Sequence, residues 1–347
     1  MILQSNFDLT SFTTFHVPAR ARYYAAYTSV DELRELLVMA RERGLPVFHM
    51  GGGSNLLFTR DYPGVVLHCD MRGISFSETS GACTWAGSSV PAVLATAAAG
   101  ERWDHFVETV CREGYNGIEN LSLIPGCVGA AAVQNIGAYG VELADRIHSV
   151  TAYDTVLGRE VTLLPRELNY GYRQSLFKEP EVAGRYVVTA VTVCLTSSPA
   201  FNLEYGPLRE LASHPGLTAM DVRRRVIDIR RSKLPDPDIA GEGNAGSFFK
   251  NPVVTDEKFR ALLAGHPDMP HYPLPTGNVK IPAGWLIEHA GLKGARVGGA
   301  MVYQKQCLVI VNTGNAVAAD VVALSRKVQH EVSEKFGLEL HPEVIFI

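Results

Sequence analysis

Several large classes of protein leave marks that this chain lacks. No Cys-x-x-Cys pair and no cysteine and histidine spacing of a zinc module occur, so a structural zinc site and a dithiol redox motif are excluded and no metal is expected. The six cysteines, at 69, 83, 111, 127, 194 and 307, read as buried thiols of a reducing compartment. An excess of basic charge is missing. The net charge is −4 with both signs interspersed, so no nucleic-acid partner is expected. An anionic small substrate is not excluded, because a binding site is local and net charge is not. No apolar run is long enough to cross a bilayer. Met1 to Thr14 has no basic region followed by an apolar stretch, so it is not read as a secretory signal. A cytoplasmic protein with no membrane partner is expected. Repeats and low-complexity tracts are missing too.

What is present is glycine in two concentrated places. Residues 123–140, from Leu123 to Gly140, are crowded with glycine and alanine and carry almost no charge. Gly126, Gly129, Gly137 and Gly140 can reach backbone angles closed to other residues. Successive N–H groups there can converge on one anion as a nest. A second such stretch runs from His49 to Leu57 and contains Gly51, Gly52, Gly53, Ser54 and Asn55. Each alone is also what a tight turn looks like. Two in one half of the chain suggest a large ligand with a phosphate-rich middle.

The secondary-structure pattern places these stretches. Ser29–Arg43 reads as a helix with Ser29 and Glu32 at capping-box spacing and Gly44 as its stop. Pro46–Met50 is a short strand that runs into Gly51, and Val65–Asp70 is another. Val93–Ala99 is ambiguous, since its alanines favour helix and Gly100 interrupts the pattern. Trp103–Arg112 is a helix, and Tyr186–Leu195 is β-branched and alternating, hence a strand. Residues 196–217 are the best candidate boundary. Thr218–Arg231 and Ala316–Phe336 read as helices, the latter stopped by Gly337, and Val344–Ile347 as a terminal strand. The run Arg223-Arg224-Arg225 reads as a solvated face.

Four motifs remain. Gly241 to Gly246 matches Gly-x-Gly-x-x-Gly by letter, but it follows a turn-rich Lys-Leu-Pro-Asp-Pro stretch and not a buried strand, so it is not a dinucleotide fingerprint. The Gly51 stretch lacks the Gly-Lys-Ser/Thr ending of a P-loop. Ser247, between Gly246 and two phenylalanines, is either a proton donor in a dry pocket or a plain loop serine. No Ser-His-Asp arrangement can be inferred around it. Arg173, among Tyr170, Tyr172 and Gln174, either grips a carboxylate or phosphate with both prongs or stacks on tyrosine. Glu343, just before the terminal strand, is either an exposed acid or a half-buried carboxylate.

Taken in order along the chain, the motifs resemble the UDP-N-acetylenolpyruvoylglucosamine reductase family, and its first type in particular. They are Gly-Gly-Gly-Ser-Asn-Leu at 51, Ile-Pro-Gly-Cys-Val-Gly at 124, Gln-Asn-Ile-Gly-Ala-Tyr-Gly at 134 and Tyr-Arg-Gln-Ser at 172. Further on come Lys-Leu-Pro-Asp-Pro at 233, Ala-Gly-Ser-Phe-Phe-Lys-Asn-Pro at 245, Ala-Gly-Trp-Leu-Ile-Glu at 283 and Pro-Glu-Val at 342. The resemblance covers essentially the whole chain from Thr13.

The resemblance implies an α+β fold. Residues 1–215 would be an FAD-binding region of the vanillyl-alcohol-oxidase (PCMH) type, two α+β subdomains split near 70. Residues 218–336 would be an α/β substrate-binding domain, and residues 337–347 a strand returning toward the active site. It implies FAD and NADPH as cofactors, a UDP-sugar enolpyruvyl ether as substrate, and a monomer. Catalysis would rest on Arg173, Ser247 and Glu343. FAD would be held by Gly51, Gly52, Gly53, Ser54, Asn55, Ile124, Pro125, Gly126, Gly129, Gln134, Asn135, Ile136, Gly137 and Arg230. Substrate or nicotinamide contacts would come from Tyr139, Tyr205, Lys233, Asn251, Tyr272, Lys293 and Gln306. Two departures stand out: Ala130-Ala131-Ala132, where relatives often carry serine or proline, and Gly241-Glu242, which looks like a small insertion. The rival readings are an oxidase on the same flavin scaffold and a non-catalytic flavin carrier.

Overall fold

The computed structural model describes residues 2–85 and 88–347. The chain divides into two compact units. The first is Met1–Ser5, Tyr23–Gly52 and Pro63–Ser232, and the second is Asn6–Arg22, Gly53–Tyr62 and Lys233–Ile347.

In the first unit, helix α1 (Val30–Glu42) begins where the Ser29 hydroxyl accepts the Glu32 N–H at 3.2 Å. The Glu32 carboxylate turns back to Thr28, whose N–H and hydroxyl both donate to it. Leu33, Leu36 and Ala40 face inward. The strand Val47–Met50 pairs in parallel with Tyr62–Cys69, register Val47 to Val65, and so delivers the chain to Gly51 at the end of a sheet strand.

A second sheet is antiparallel, in the order Arg159–Leu163, Ile147–Asp154, Tyr186–Leu195, Ser88–Ala98, Ile74–Trp85. Here the ambiguous alanine stretch is a strand, paired with Tyr186–Leu195 from Leu195↔Val93 to Ala190↔Ala98. Pairing on both edges overrides its helix propensity. Its alanines have a use: Ala95 and Ala97 are fully buried, and α3 (Val128–Gln134) packs on this sheet. A Cβ on Gly129 would stand 2.8 Å from the Ala99 Cβ, so helix and strand end meet through their smallest residues. Helix α2 (Trp103–Arg112) buries Trp103, Phe106, Val107 and Val110 in the same core.

Helix α4 (Ala219–Lys233) starts as expected, with Thr218 and Asp221 exchanging hydrogen bonds. Its place is with the first unit. Val222, Val226 and Ile229 pack with Leu208 inside the first unit, and the second unit resumes only at Lys233. It corrects the solvated arginine face. Arg223 is 5% exposed, while Arg224 alone of the three stands well out in solvent.

The second unit has a sheet ordered Gly243–Ser247, Val309–Asn312, Ala300–Val302, Arg296–Val297, with helices α5 (Asp256–Gly265), α6 (Ala283–His289) and α7 (Ala318–Phe336). Gly337 ends α7 in the left-handed region at φ 61°. Two early segments join this core, through Phe15, Val17 and Leu57. The terminal strand Ile345–Phe346 pairs in parallel with Leu56–Leu57. Gly243–Ser247 is a sheet strand, which bears out the rejection of the 241–246 match as a dinucleotide fingerprint. Glu242 serves its loop, its carboxylate accepting the Asp236 N–H at 2.8 Å.

Cys69, Cys111, Cys127 and Cys307 are free and buried, as expected. Cys194 is disulfide-bonded and corrects the reading of six thiols. The Cys83 side chain lies outside the described residues.

Candidate active site

The two glycine stretches meet inside the first unit. A Cβ on Gly52 would stand 2.7 Å from the Gly126 Cα, and one on Gly51 would run into the Cys127 Sγ. Gly52 is therefore required by backbone-to-backbone packing, and Gly51 by the Cys127 side chain packed against it. Gly53 is required differently, in the second unit: it sits at φ 62°, and a Cβ would strike the Phe12 carbonyl oxygen. Ser54 and Asn55 belong to the second unit with it.

Residues 123–126 are gripped at both ends. The Asp104 carboxylate accepts the Leu123 N–H at 2.5 Å, and the Trp103 N–H donates to the Gly126 carbonyl at 3.1 Å. Leu123 is left-handed at φ 57°. Arg230 donates from Nε to the Leu123 carbonyl at 3.2 Å, so Ile124, Pro125 and Gly126 follow a residue held at both its N–H and its carbonyl. Burial pushes the Arg230 guanidinium below its ordinary value, with the Tyr139 phenol and the Asp104 carboxylate opposing that shift. Tyr139 packs edge-on against Tyr205, centroids 5.0 Å apart. Tyr205 is 37% exposed at the start of a 3₁₀ segment, Gly206–Ser213.

Downstream, α3 ends at Asn135, left-handed at φ 44°. The Asn135 amide is consumed by the fold: its NH₂ donates to Glu142 and to the Gly171 carbonyl, and its oxygen accepts the Ala144 N–H. This expected cofactor residue shapes the loop with its side chain. Arg173 lies in a tight turn closed by mutual Gly171 and Gln174 hydrogen bonds, at φ 55°. Its guanidinium donates to the carbonyls of Asn135 at 3.2 Å and Gly137 at 3.3 Å, and sits 5.5 Å from the Tyr172 ring centroid. The Tyr172 contact matches the tyrosine-packing alternative, and the guanidinium also reaches the carbonyls on either side of Ile136. Lys178, which the motifs did not single out, bridges the Gln134 side-chain oxygen and the Arg173 carbonyl, each at 2.9 Å.

In the second unit the strand register does the assembling. Gly243–Ser247 pairs with Val309–Asn312, with a register shift between Asn244 and Ser247 and Gly246 at φ 71°. A bulge of this kind re-aims the next side chain, here Ser247. Phe248 and Phe249 behind it are fully buried. The Glu343 N–H donates to the Phe248 carbonyl at 2.8 Å, and Phe249 bridges to Pro342. Ser247 and Glu343 are thus brought onto adjoining backbone. Asn55 joins them, its Nδ2 donating to the Glu343 carbonyl at 3.2 Å.

The other expected substrate residues are more scattered. The Asn251 side-chain oxygen accepts the Ala283 N–H and so holds the start of α6. Gln306 accepts the Leu308 N–H at 3.3 Å and stands against Gly284. Lys293 pairs with Glu288 at 2.7 Å on the surface. Tyr272 is 48% exposed with Lys280 over its ring, and Lys233 is exposed at the end of α4.

Whether these residues suit a flavin nucleotide can be judged from two polar groups. Arg230 donates to a neutral carbonyl, and the Asp104 carboxylate that also acts on it is already gripped by Arg223 with both prongs, so further negative charge beside Arg230 is favoured. The Nδ1 of His49, two residues before Gly51, is buried with no hydrogen-bond partner among the described residues, and burial pushes this imidazole down to about 4. A neutral ring, a buried guanidinium and side-chain-free backbone fit FAD. They define a flavin-binding α+β protein.

Comparison with known proteins sharpens that class. Residues 21–163 match an FAD binding domain, and residues 237–347 match the C-terminal domain of UDP-N-acetylenolpyruvoylglucosamine reductase. The chain is similar to the UDP-N-acetylenolpyruvoylglucosamine reductase of Bacteroides fragilis, 46% identical over 347 residues, 99% of this chain and 100% of that one. It is likewise similar to the enzyme of that name from Chromobacterium violaceum, 45% identical over 348 residues, 99% of this chain and 98% of that one. The crystal structure of the Thermus caldophilus reductase superposes with a TM-score of 0.65 at 25% identity, over 100% of this chain and 99% of that one. The chain belongs to the UDP-N-acetylenolpyruvoylglucosamine reductase family, and it is an FAD-dependent oxidoreductase of α+β fold. Among the described residues no helix is long and apolar enough to cross a membrane.

Proposed function

We propose that this chain reduces the enolpyruvyl ether of UDP-N-acetylglucosamine to UDP-N-acetylmuramate, with NADPH as reductant, in the supply of peptidoglycan precursors. Membership of the family carries the substrate, and the adjoining backbone of Ser247 and Glu343 is the observation that supports the chemistry. When bound, FAD supplies a hydride carrier between the nicotinamide and the vinyl carbon. Gly51, Gly52, Gly53, Ser54, Asn55, Ile124 to Gly126, Gly129, Gln134, Ile136, Gly137 and Arg230 would hold it. The second unit receives the sugar nucleotide.

Arg173 grips the substrate carboxylate and opposes the negative charge that develops at the carbon beside it, a preorganised electrostatic role. Glu343 supports that charge as a proton-bearing partner. Ser247 delivers the proton to the carbon, and the buried phenylalanines behind it keep water away. Tyr205 covers the diphosphate, with Tyr139 bracing its ring. Lys233, Lys293, Tyr272, Asn251 and Gln306 line the approach of substrate and nicotinamide. The enzyme works as a cytoplasmic monomer without nucleic-acid or membrane partners.

The test is an anaerobic titration followed by the visible spectrum. NADPH bleaches the yellow holoprotein, and the enolpyruvyl sugar nucleotide restores the colour. Restoration by oxygen alone would mark an oxidase, and no bleaching at all would mark a flavin carrier.

A further inference from the structure

Arg223 is the residue most at odds with a surface reading. Its guanidinium is 5% exposed and binds the Asp104 carboxylate with both prongs, Nη1 to Oδ1 at 2.5 Å and Nη2 to Oδ2 at 2.9 Å. Glu108 lies 3.9 Å from Nη2. Burying such a pair costs desolvation on both partners, so it is weak evidence for stability and calls for another use.

The use is written in what Asp104 holds. The same Oδ1 that receives Arg223 accepts the N–H of Leu123, a left-handed, non-glycine residue. The carbonyl of that residue accepts from Arg230. Arg223 and Arg230 stand seven positions apart on α4, two turns along one face. Helix α4 therefore reaches both backbone polar groups of residue Leu123, directly at the carbonyl and through Asp104 at the N–H, and so holds the two peptide units that flank its Cα. Trp103, the neighbour of Asp104, holds the far end of the same loop at the Gly126 carbonyl.

We infer that the Arg223–Asp104 ion pair is a positioning element for FAD, fixing Leu123 in its left-handed state so that the backbone of Ile124, Pro125 and Gly126 is preformed for the cofactor. This rests on the reading of residues 124–126 as a flavin contact. A pair that only stitched α4 to α2 would need no contact with the loop. Asp104 spends the oxygen nearest Arg223 on the loop N–H, which places the charge pair and the loop geometry on one atom.

The experiment measures FAD affinity of the deflavinated full-length chain by quenching of flavin fluorescence, together with the thermal midpoint of the same sample. Arg223→Met and Asp104→Ala are expected to raise the FAD dissociation constant at least tenfold at a temperature where circular dichroism shows them folded. Arg223→Lys, which keeps the charge and loses the two-pronged grip, falls in between. Arg224→Ala, an exposed neighbour, leaves the constant unchanged. Should either of the first two not fold, Arg223→Lys and Asp104→Asn carry the test, with a rise of threefold or more expected. Variants that lower the thermal midpoint but bind FAD within twofold of the parent overturn the inference and leave the flavin site standing. A parent chain that binds no FAD overturns the site itself.

Discussion

The two units reach precision by different means. In the first, the loops are irregular and are pinned by many separate hydrogen bonds: Asp104 and Arg230 on Leu123, Trp103 on Gly126, Asn135 on three neighbours, Lys178 on Gln134 and Arg173. In the second, one strand register places Ser247 and Glu343, with a bulge to turn the serine. A pinned loop can fail one bond at a time. A register either holds or slips whole, because a one-residue slip turns every side chain to the other face. Damage in the first unit should thus be graded and visible in cofactor affinity. Damage to a side chain in the second should leave cofactor binding alone and remove a chemical step.

The sharpest way to break the first unit is Gly52→Val. Its Cβ would stand 2.7 Å from the Gly126 Cα, backbone that cannot rotate away. Overpacking against backbone costs about 3 kcal/mol. The variant should purify colourless or unfolded, read by flavin content and urea unfolding. A yellow, stable Gly52→Val protein would mean that the two glycine stretches do not pack as described.

For the second unit the matching cut is Ser247→Ala. Bleaching by NADPH needs no proton from this hydroxyl and should be nearly unchanged. Recovery of colour with the enolpyruvyl substrate should slow about 10²-fold, the scale of a lost general acid. Stopped-flow absorbance separates the two steps. Equal slowing of both would make Ser247 a packing residue.

Lys178→Met tests whether the pinned loops reach chemistry as well as cofactor. Removing the ammonium releases the Arg173 carbonyl and the Gln134 amide together. A charged hydrogen bond of this sort is worth roughly 1.5–3 kcal/mol. The expected result is about a tenfold fall in kcat with the sugar nucleotide and a smaller rise in FAD dissociation constant, partly restored in Lys178→Arg. A loss of thermal stability with kcat intact would reduce Lys178 to a strut.

The legibility of the two units differs in the same way. Helix starts and stops were readable, because Ser29, Thr218 and Gly337 act within a few residues of themselves. The alanine strand was not, since one of its two pairing partners, Tyr186–Leu195, lies far along the chain and propensity registers no pairing at all. Arg223 was misread in a basic run, although its spacing to Val226 and Arg230 marks it as part of the inward stripe. The motifs located the glycine stretches and Arg173, but they could not reveal Asp104 or Lys178. Those residues act through backbone atoms of distant loops, and a backbone contact leaves no residue-type signature. The apolar face of α4 packs toward Leu208, whereas composition alone marks only the polar stretch before the helix.

Tyr205 sets the two units' habits against each other at a milder level. It belongs to the first unit yet is proposed to act on the substrate, braced edge-on by Tyr139 and exposed on its outer side. Ground and transition states touch such a cover about equally, so Tyr205→Ala should raise the substrate KM about fivefold to tenfold with little change in kcat. Tyr205→Phe keeps the ring against Tyr139 and should lie between, its distance from the parent measuring the hydroxyl. A collapse of kcat at unchanged KM would move Tyr205 among the catalytic residues.

The smallest expected effect is one of pH. Burial pushes the Asp104 carboxyl up, but the Arg223 guanidinium and the Leu123 N–H outweigh it and hold the group below its ordinary value of 3.8. A carboxylate held low in the folded state contributes stability above its unfolded value and loses it as pH falls through the folded one. FAD affinity should therefore be flat from neutrality down to the ordinary carboxylate range and weaken only below it. In Asp104→Asn that acid limb should flatten, because the titrating group is gone, while affinity at neutral pH drops. An unchanged acid limb in this variant would place the titration in other carboxylates, and Leu123 would then be held by Arg230 alone.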